Sequence, residues 1–398
     1  MVNRFTEPYG VIISRPGGGH NHKKDLLGRK ICDIQLTLTY SNSVRRYKML
    51  KKKQVTLSDI AERSGVATMT VSRVVNSSGY VSEDTRQRVL AAVNDMNYRR
   101  NGLARNLKRQ RTETVGLVLG DLSNPYSTEI ANAVRESLSF QGYNLFICIS
   151  EHSAKEDIAA FESLVDHNVD GIIVVTRSNK EGDERLTSIA NSNLPVVVVG
   201  RDFRHNQVDY ISADNLTGGF DATQHLIDLG HKRIAFLGAG YESRSSLKRL
   251  RGYLNALTSH GIEIDERLIT GRRKSASDVP GYSTEKMGYE GMKRLLSVPN
   301  RPTAVFARND FTAVGAMSAI KEAGLSIPQD MAIVGFDDTP LAVHTMPALT
   351  TVRQPMRLLG QLAAEMLLRR IGDDEIQKRN ERILNCELII RESTVAPG

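Results

Sequence analysis

The chain has 398 residues, 40% hydrophobic and 25% charged, a composition suited to two or three domains with cores of their own. No apolar run approaches the ~20 residues that span a bilayer, and the start lacks the charged, apolar and small-residue segments of a secretion signal, so no membrane partner is expected. The net charge of +8 is uneven: residues 51–111 hold 13 Lys/Arg against 5 Asp/Glu, residues 1–50 hold 9 against 3, and the remainder is acidic at 31 against 37.

Residues 1–48 have no sustained periodicity, and "RPGGGHNHKK" reads as loop. They are expected to be a disordered extension, or an over-called start ahead of Met49. His20 and His22 form an H-x-H without further ligands, the pattern of a solvated tail rather than a metal site. No metal or cofactor is expected elsewhere. Cys32, Cys148 and Cys386 are odd in number and far apart, which suits unpaired thiols in a cytoplasmic protein.

Three short helical patterns follow in residues 49–100. Thr56 can cap the first, with Asp59 at the capping-box position and Leu57, Ile60 and Ala61 turned inward. A tight turn at Gly65 leads into "TMTVSRVVN". There Val71, Val74 and Val75 form one face, while Thr68, Met69, Ser72 and Arg73 form another. Ser82 can cap a third helix that turns Val89, Ala92, Val93 and Met96 inward. Two short helices joined through a glycine turn, with a third to bury them, make a helix-turn-helix module. Its second helix lies in the major groove, so the valines hold that helix and the polar face reads DNA. Clustered positive charge supports this through counterion release from phosphates, although a solvated basic face has the same composition.

The residues "VTLSDIAERSGVATMTVSRVVN" and "VSEDTRQRVLAAVNDMNYRRNGLARNLKR" closely resemble the DNA-binding head of the lactose-repressor/galactose-repressor family. The resemblance implies DNA contacts by Thr56, Thr68, Met69, Thr70, Ser72, Arg73 and Asn76. It also implies a hinge helix over 101–111, with Ala104, Arg105 and Lys108 at DNA and Leu107 in the minor groove. Two departures stand out. Ala67 replaces a serine that usually caps the recognition helix, leaving Thr68 as a substitute cap, and Arg100 replaces a proline before the hinge.

Beyond residue 112, apolar runs alternate with amphipathic stretches: "TVGLVLG", "NLFICIS", "DGIIVV", "PVVVVG", "RIAFLG", "TAVFA" and "MAIVGF". Continuous apolar strands between helices indicate parallel sheets covered on both faces. The expectation for 112–398 is two doubly wound α/β lobes around a cleft. The resemblance, which covers 55 to about 395, likewise implies a periplasmic-binding-protein-like core. The N-lobe is expected at about 112–211 plus 340–370, and the C-lobe at about 212–339 plus 371–395.

Polar residues follow many of these strands: Asp121, Asn124 and Tyr126, then Thr176, Arg201, Asn309, Asp310, Asp337 and Asp338. Ligands of open α/β sheets bind outside the carboxyl ends of strands. Each residue singly reads equally well as a loop or helix cap, Asp310 above all. Together they suit a polyol, whose hydroxyls donate and accept. The resemblance adds Arg249 in "SLKRLRGYLNAL" with Ser245 ahead of it, Asp310 with Asn309 in "RND", Tyr126 and Ser127 in "DLSNPYS", and Tyr282. Gly200 stands where an aspartate is common, and the loop carrying Tyr282 is longer than usual.

"FLGAGYES" has Gly238-x-Gly240 but Ser243 in place of a third glycine, a weak dinucleotide signal. No hydrolase, zinc-protease or phosphate-loop motif is present, so the chain reads as a binder and not an enzyme. The expected function is a repressor that binds a pseudo-palindromic double-stranded operator as a homodimer or tetramer and is relieved by a carbohydrate-like effector. The alternatives are a corepressor-dependent regulator of purine or nucleoside type, a periplasmic-type sugar-binding protein, and an NAD-dependent oxidoreductase.

Overall fold

A computed structural model describes residues 55–98, 111–151, 153–177, 179–203, 208–238, 243–271, 284–372 and 379–395. They form two units, a head before residue 103 and a core after it.

The head has α1 (Leu57–Ser64), α2 (Thr68–Val75) and α3 (Glu83–Asp95). Thr56 and Asp59 form a reciprocal capping box, in which Asp59 N donates to Thr56 Oγ1 at 3.3 Å and Thr56 N donates to Asp59 Oδ2 at 2.8 Å. Gly65, at φ 66°, ends α1 in the left-handed conformation that glycine adopts without strain. Ile60, Val71, Val74, Val75, Val89 and Ala92 close the small core, with Val93 and Met96 half-buried against it. Two expected caps are absent. Ala67 occupies the N-cap of α2 and Thr68 is already helical, so no side chain caps that helix. The Ser82 hydroxyl donates to Thr85 Oγ1 at 2.9 Å rather than capping the backbone of α3. Packing of the three valines, not a cap, holds α2 in place.

The core begins with β1 (Thr114–Leu119), α4 (Pro125–Phe140), β2 (Asn144–Ile149), α5 (Ala154–Asp166), β3 (Gly171–Val175), α6 (Lys180–Asn191), β4 (Val196–Val199) and β5 (Asp209–Ala213). It continues with α7 (Asn215–Asp228), β6 (Ile234–Leu237), α8 (Arg244–Ser259), α9 (Thr284–Leu296), β7 (Ala304–Ala307), α10 (Asp310–Glu322) and β8 (Ala332–Asp337). The last elements are β9 (Thr350–Arg353), α11 (Met356–Gly372), β10 (Glu381–Leu384) and β11 (Glu387–Ile389).

Strands β10-β5-β4-β3-β1-β2 form one sheet, parallel throughout. Its inner strands "GIIVV" and "VVVV" are wholly buried, as a sheet covered on both faces requires. On one face α4 and α11 contribute Ile130, Val134, Leu359 and Leu367. On the other, α5 and α6 contribute Phe161, Leu164, Leu186 and Ile189. The second sheet has the order β11-β9-β8-β7-β6, with β11 antiparallel at its edge. It is covered by α9 and α10 on one face and α7 and α8 on the other. No helix among the described residues is long and apolar enough to cross a membrane.

The chain passes between the sheets three times: β5 to α7 at Asp214, β9 to α11 at Gln354 and Pro355, and β10 to β11 at Asn385 and Cys386. The lobe boundaries therefore differ from the expected ones. Residues 340–353 belong with the second sheet through β9, whereas 371–372 and 379–384 belong with the first through α11 and β10. "TTVR" and "ERIL" are short and partly polar, so their pairing, Val334 with Thr350 and Tyr210 with Glu381, decides their lobe.

The Gly252 of "RLRGY" lets α8 cross α7 at backbone contact. A Cβ there would collide with the Leu216 carbonyl and the Phe220 amide, and one at Gly219 would meet the Arg249 backbone. Overpacking of this kind costs about 1–3 kcal/mol. Gly252→Ala is expected to lower the melting temperature of the core, whereas Ala at the exposed neighbour Arg251 leaves it unchanged. Equal melting temperatures for both variants would contradict the tight crossing.

Candidate functional site

In the head, α2 buries its valines and leaves Thr68, Met69, Arg73 and Asn76 exposed, with Thr70 and Ser72 half-buried. Met69 is 68% exposed, unusual for an apolar side chain in so small a unit. Asn76 donates to Ser72 Oγ at 3.1 Å, and the Arg73 stem lies beside Gly79. Thr56 is exposed at the head of α1. Tyr80, 91% exposed just beyond the helix, is a further surface group that the sequence pattern did not single out.

The positive charge lies elsewhere. Residues 55–98 hold 4 Lys/Arg against 5 Asp/Glu, whereas residues 51–54 and 99–111 hold 9 Lys/Arg and no acid. The folded unit thus presents hydrogen-bonding side chains, and the flanking segments carry the cations. The expected hinge contacts Ala104, Arg105, Leu107 and Lys108 fall outside the described residues, as does Tyr282.

In the core, the effector candidates divide into groups that build the loops and groups that face the cleft. Asp121 Oδ1 accepts from Ser123 Oγ at 2.9 Å and Asn124 N at 2.8 Å, shaping the loop after β1. Asn124 caps α4, placing Tyr126 and the buried Ser127 in its first turn. The Tyr126 phenol is held far above its usual range, chiefly by burial and next by the Asp337 carboxylate, with the Arg249 guanidinium opposing. A residue of the first lobe is thus within electrostatic reach of two from the second. Gly200, at φ 83°, ends β4 directly against the Tyr126 hydroxyl, which any Cβ at 200 would strike. The phenol fills the space where the sequence comparison anticipated an aspartate.

Arg201 is buried and engaged within its own lobe. Its Nε donates to the Thr176 carbonyl at 3.0 Å and its Nη2 to Asp183 at 2.7 Å, with the guanidinium 5.3 Å from the Phe203 ring. Burial draws its pKa down and Asp183 draws it back up. It braces β4 against α6. Ser245 shares a hydrogen bond of 2.8 Å with Ser243 at the start of α8.

Arg249 lies 3.6 Å over the Phe336 ring. Its Nε donates to Asn215 Oδ1 at 2.7 Å, and its Nη1 donates to the Arg308 carbonyl and lies 3.5 Å from Asp337 Oδ1. Arg249 and Asp310, both expected at the effector, do not face each other in the structure. Asp310 is fully buried, accepting from Thr339 N at 2.7 Å, Thr339 Oγ1 at 3.0 Å and Thr351 Oγ1 at 2.6 Å. Nor does it cap α10, because Asn309 does so, accepting from Thr312 N at 3.0 Å. Asp310 ties α10 to β9 and the turn after β8.

The carboxylate that faces Arg249 is Asp337, at the end of β8. Its φ of 119° is a strained value for a non-glycine residue, of the kind that concentrates at functional sites. Gln354 Nε2, in the second crossover, donates to Asp337 Oδ1 at 2.5 Å. Burial pushes both Asp310 and Asp337 upward, and the Asp337 charge raises Asp310 further. Only position after a strand marked Asp337 in the sequence, and nothing marked Gln354 or Asn215.

The chain therefore carries a helix-turn-helix unit and, in its core, a group formed by Tyr126, Arg249 and Asp337 near the carboxyl ends of two sheets. The same combination appears in known proteins. Residues 56–101 match the model of the bacterial regulatory proteins of the lacI family, and residues 223–394 match that of the periplasmic binding protein-like domain. The HTH-type transcriptional repressor PurR of Mannheimia succiniciproducens is 35% identical over 338 residues, covering 85% of this chain and 98% of that protein. This chain belongs to the lacI family. It is a DNA-binding transcriptional regulator with an effector-domain core. A lac repressor dimer bound to operator and the anti-inducer ONPF superposes with a TM-score of 0.74 at 29% identity, covering 86% of this chain and all of that one. A complex of the transcriptional regulator CelR with cellobiose gives 0.64 at 31% identity, covering 85% and 100%.

Within this lacI-family core, Asp310→Ala is expected to cost about 1–3 kcal/mol of stability, because it strands one backbone and two hydroxyl donors. Urea denaturation of the wild type and the variant measures this. An unchanged midpoint and slope would return Asp310 to the role of a ligand-facing residue.

Proposed function

We propose that the chain is a dimeric repressor whose operator affinity is set by a small carbohydrate-like effector held between the lobes, and that it works in the cytoplasm. The observation carrying this reading is the meeting of Tyr126 from one lobe with Arg249 and Asp337 from the other. A cation, a carboxylate and a phenol around one cleft can satisfy the donors and acceptors of a polyol. A ligand that prefers one lobe arrangement shifts operator affinity by a coupling of about 1–3 kcal/mol. The solved relative with cellobiose supports a sugar as the ligand class.

Dimer formation through the edge of the first sheet suits the surface. Strand β2 ends the sheet and exposes Phe146, Ile147 and Ile149, with Phe140 89% exposed just ahead of it. An unprotected apolar edge strand calls for a covering partner, and the operator-bound lac repressor is a dimer. At DNA, the exposed face of α2 reads the major groove while Lys51 to Lys53 and the cations of 99–111 hold phosphates. Leu107 serves as the minor-groove wedge between half-sites.

Selection from random DNA is expected to return a pseudo-palindrome. Arg73→Ala should then cost about 1–3 kcal/mol and relax preference at one base pair per half-site. Equal weakening on every sequence would make Arg73 a phosphate contact.

The effector reading is tested by following binding to that operator against ribose, cellobiose, sugar phosphates and nucleobases. At least one sugar should release the wild type but not Asp337→Asn. A nucleobase that tightens binding would replace induction with corepression.

A further inference from the structure

We propose that Arg244 and Lys248 are positioning residues, a pair of cations on α8 that hold the two lobes in their closed arrangement. They stand one helical turn apart on a helix that belongs to the second lobe, where Leu250, Tyr253 and Leu257 anchor it. Both reach residues of the first lobe. Arg244 Nη2 lies 3.5 Å from Asp183 Oδ2 on α6, and its Nη1 donates to the Asp202 carbonyl at 3.3 Å. Lys248 Nζ lies 2.7 Å from Asp202 Oδ1, just after β4.

The acids on the first lobe are pre-positioned. Asp183 is fixed through its other oxygen by the buried Arg201 at 2.7 Å, and Asp202 follows Arg201 in the chain. Beside these pairs is a cavity of about 510 Å³ lined by residues including Lys180, Asp183, Glu184, Phe203 and Arg244. Among the described residues, ion pairs join the lobes at this seam. Half-exposed ion pairs are weak singly and screened by salt, which suits a contact that must break and reform. The next residue on α8 after Lys248 is Arg249, in the cleft. One helix thus carries the ligand-facing guanidinium and both seam cations, so a ligand that shifts α8 strains the seam. That consequence at DNA rests on the regulator reading above, whereas the seam itself does not.

Cys386 gives a readout that needs neither operator nor effector. It lies in the third crossover, among Arg249, Asp214 and Asp337, and burial pushes its thiol up to about 12. It is half-buried in this arrangement, and opening the lobes is expected to expose it further. The test measures the rate at which 5,5′-dithiobis(2-nitrobenzoate) labels Cys386 in full-length protein carrying Cys32→Ser and Cys148→Ser. Lys248→Glu and the milder pair Arg244→Gln/Lys248→Met should label several-fold faster, with circular dichroism confirming the fold. Adding Asp202→Lys to Lys248→Glu should restore slow labelling, which a merely local packing role would not do. High salt should speed the parent and leave Arg244→Gln/Lys248→Met unchanged. Labelling at the parent rate in that folded pair, or no rescue by the charge swap, overturns the proposal. Failure to find an operator or a sugar would leave this result standing and count against the regulator reading alone.

Discussion

A guanidinium buried in an α/β lobe must be matched on every side, because desolvating a charge without partners costs several kcal/mol. Arg249 meets that demand with Asn215 at the start of α7, the Arg308 carbonyl after β7, Asp337 after β8 and the face of Phe336. These partners come from three separate segments, Phe336 and Asp337 being neighbours at the end of β8, and converge at the carboxyl ends of the second sheet. The close crossing of α7 and α8 at Gly219 and Gly252 brings the arginine within their reach. One charge thereby fixes the floor of the cleft.

The same oxygen that faces Arg249 also receives the Gln354 amide of the second crossover. A ligand that draws on Arg249 or Asp337 therefore alters the setting of a segment joining the lobes. Tyr126 of the opposite lobe lies within electrostatic reach of Arg249 and Asp337, and its hydroxyl is seated only because position 200 lacks a side chain. A ligand bound at these atoms would therefore bias the lobe arrangement, which is the physical requirement for action at a distance.

The head divides its work in another way. Its folded part is slightly acidic, and the cations lie in the segments on either side. In protein–DNA interfaces base-edge contacts specify while phosphate contacts position and strengthen, and the proposed reading assigns these two tasks to different stretches of this chain. Exposed Met69 and Tyr80 add apolar surface next to the hydrogen-bonding groups of α2, as contact with thymine methyl groups would use.

Periodicity and capping determined much of this from the sequence alone. The three head helices, the inward valines of α2 and the apolar strands of both lobes follow from local rules that need no distant partner. The resemblance of the head supplied the family, and the arginine of "RLRGY" stands where that resemblance expects an effector contact. Pairing and partner choice belonged to the tertiary structure. It placed β9 and β10 in opposite sheets, because strands of four mixed residues carry no preference strong enough to choose. It also set Asp337, rather than Asp310, beside Arg249. Adjacent strands and a helix start can each put an acid at the end of a sheet, but Thr339 and Thr351 arrive from far along the chain to claim Asp310. Which partners each acid finds depends on those long-range hydrogen bonds, and no local pattern encodes them.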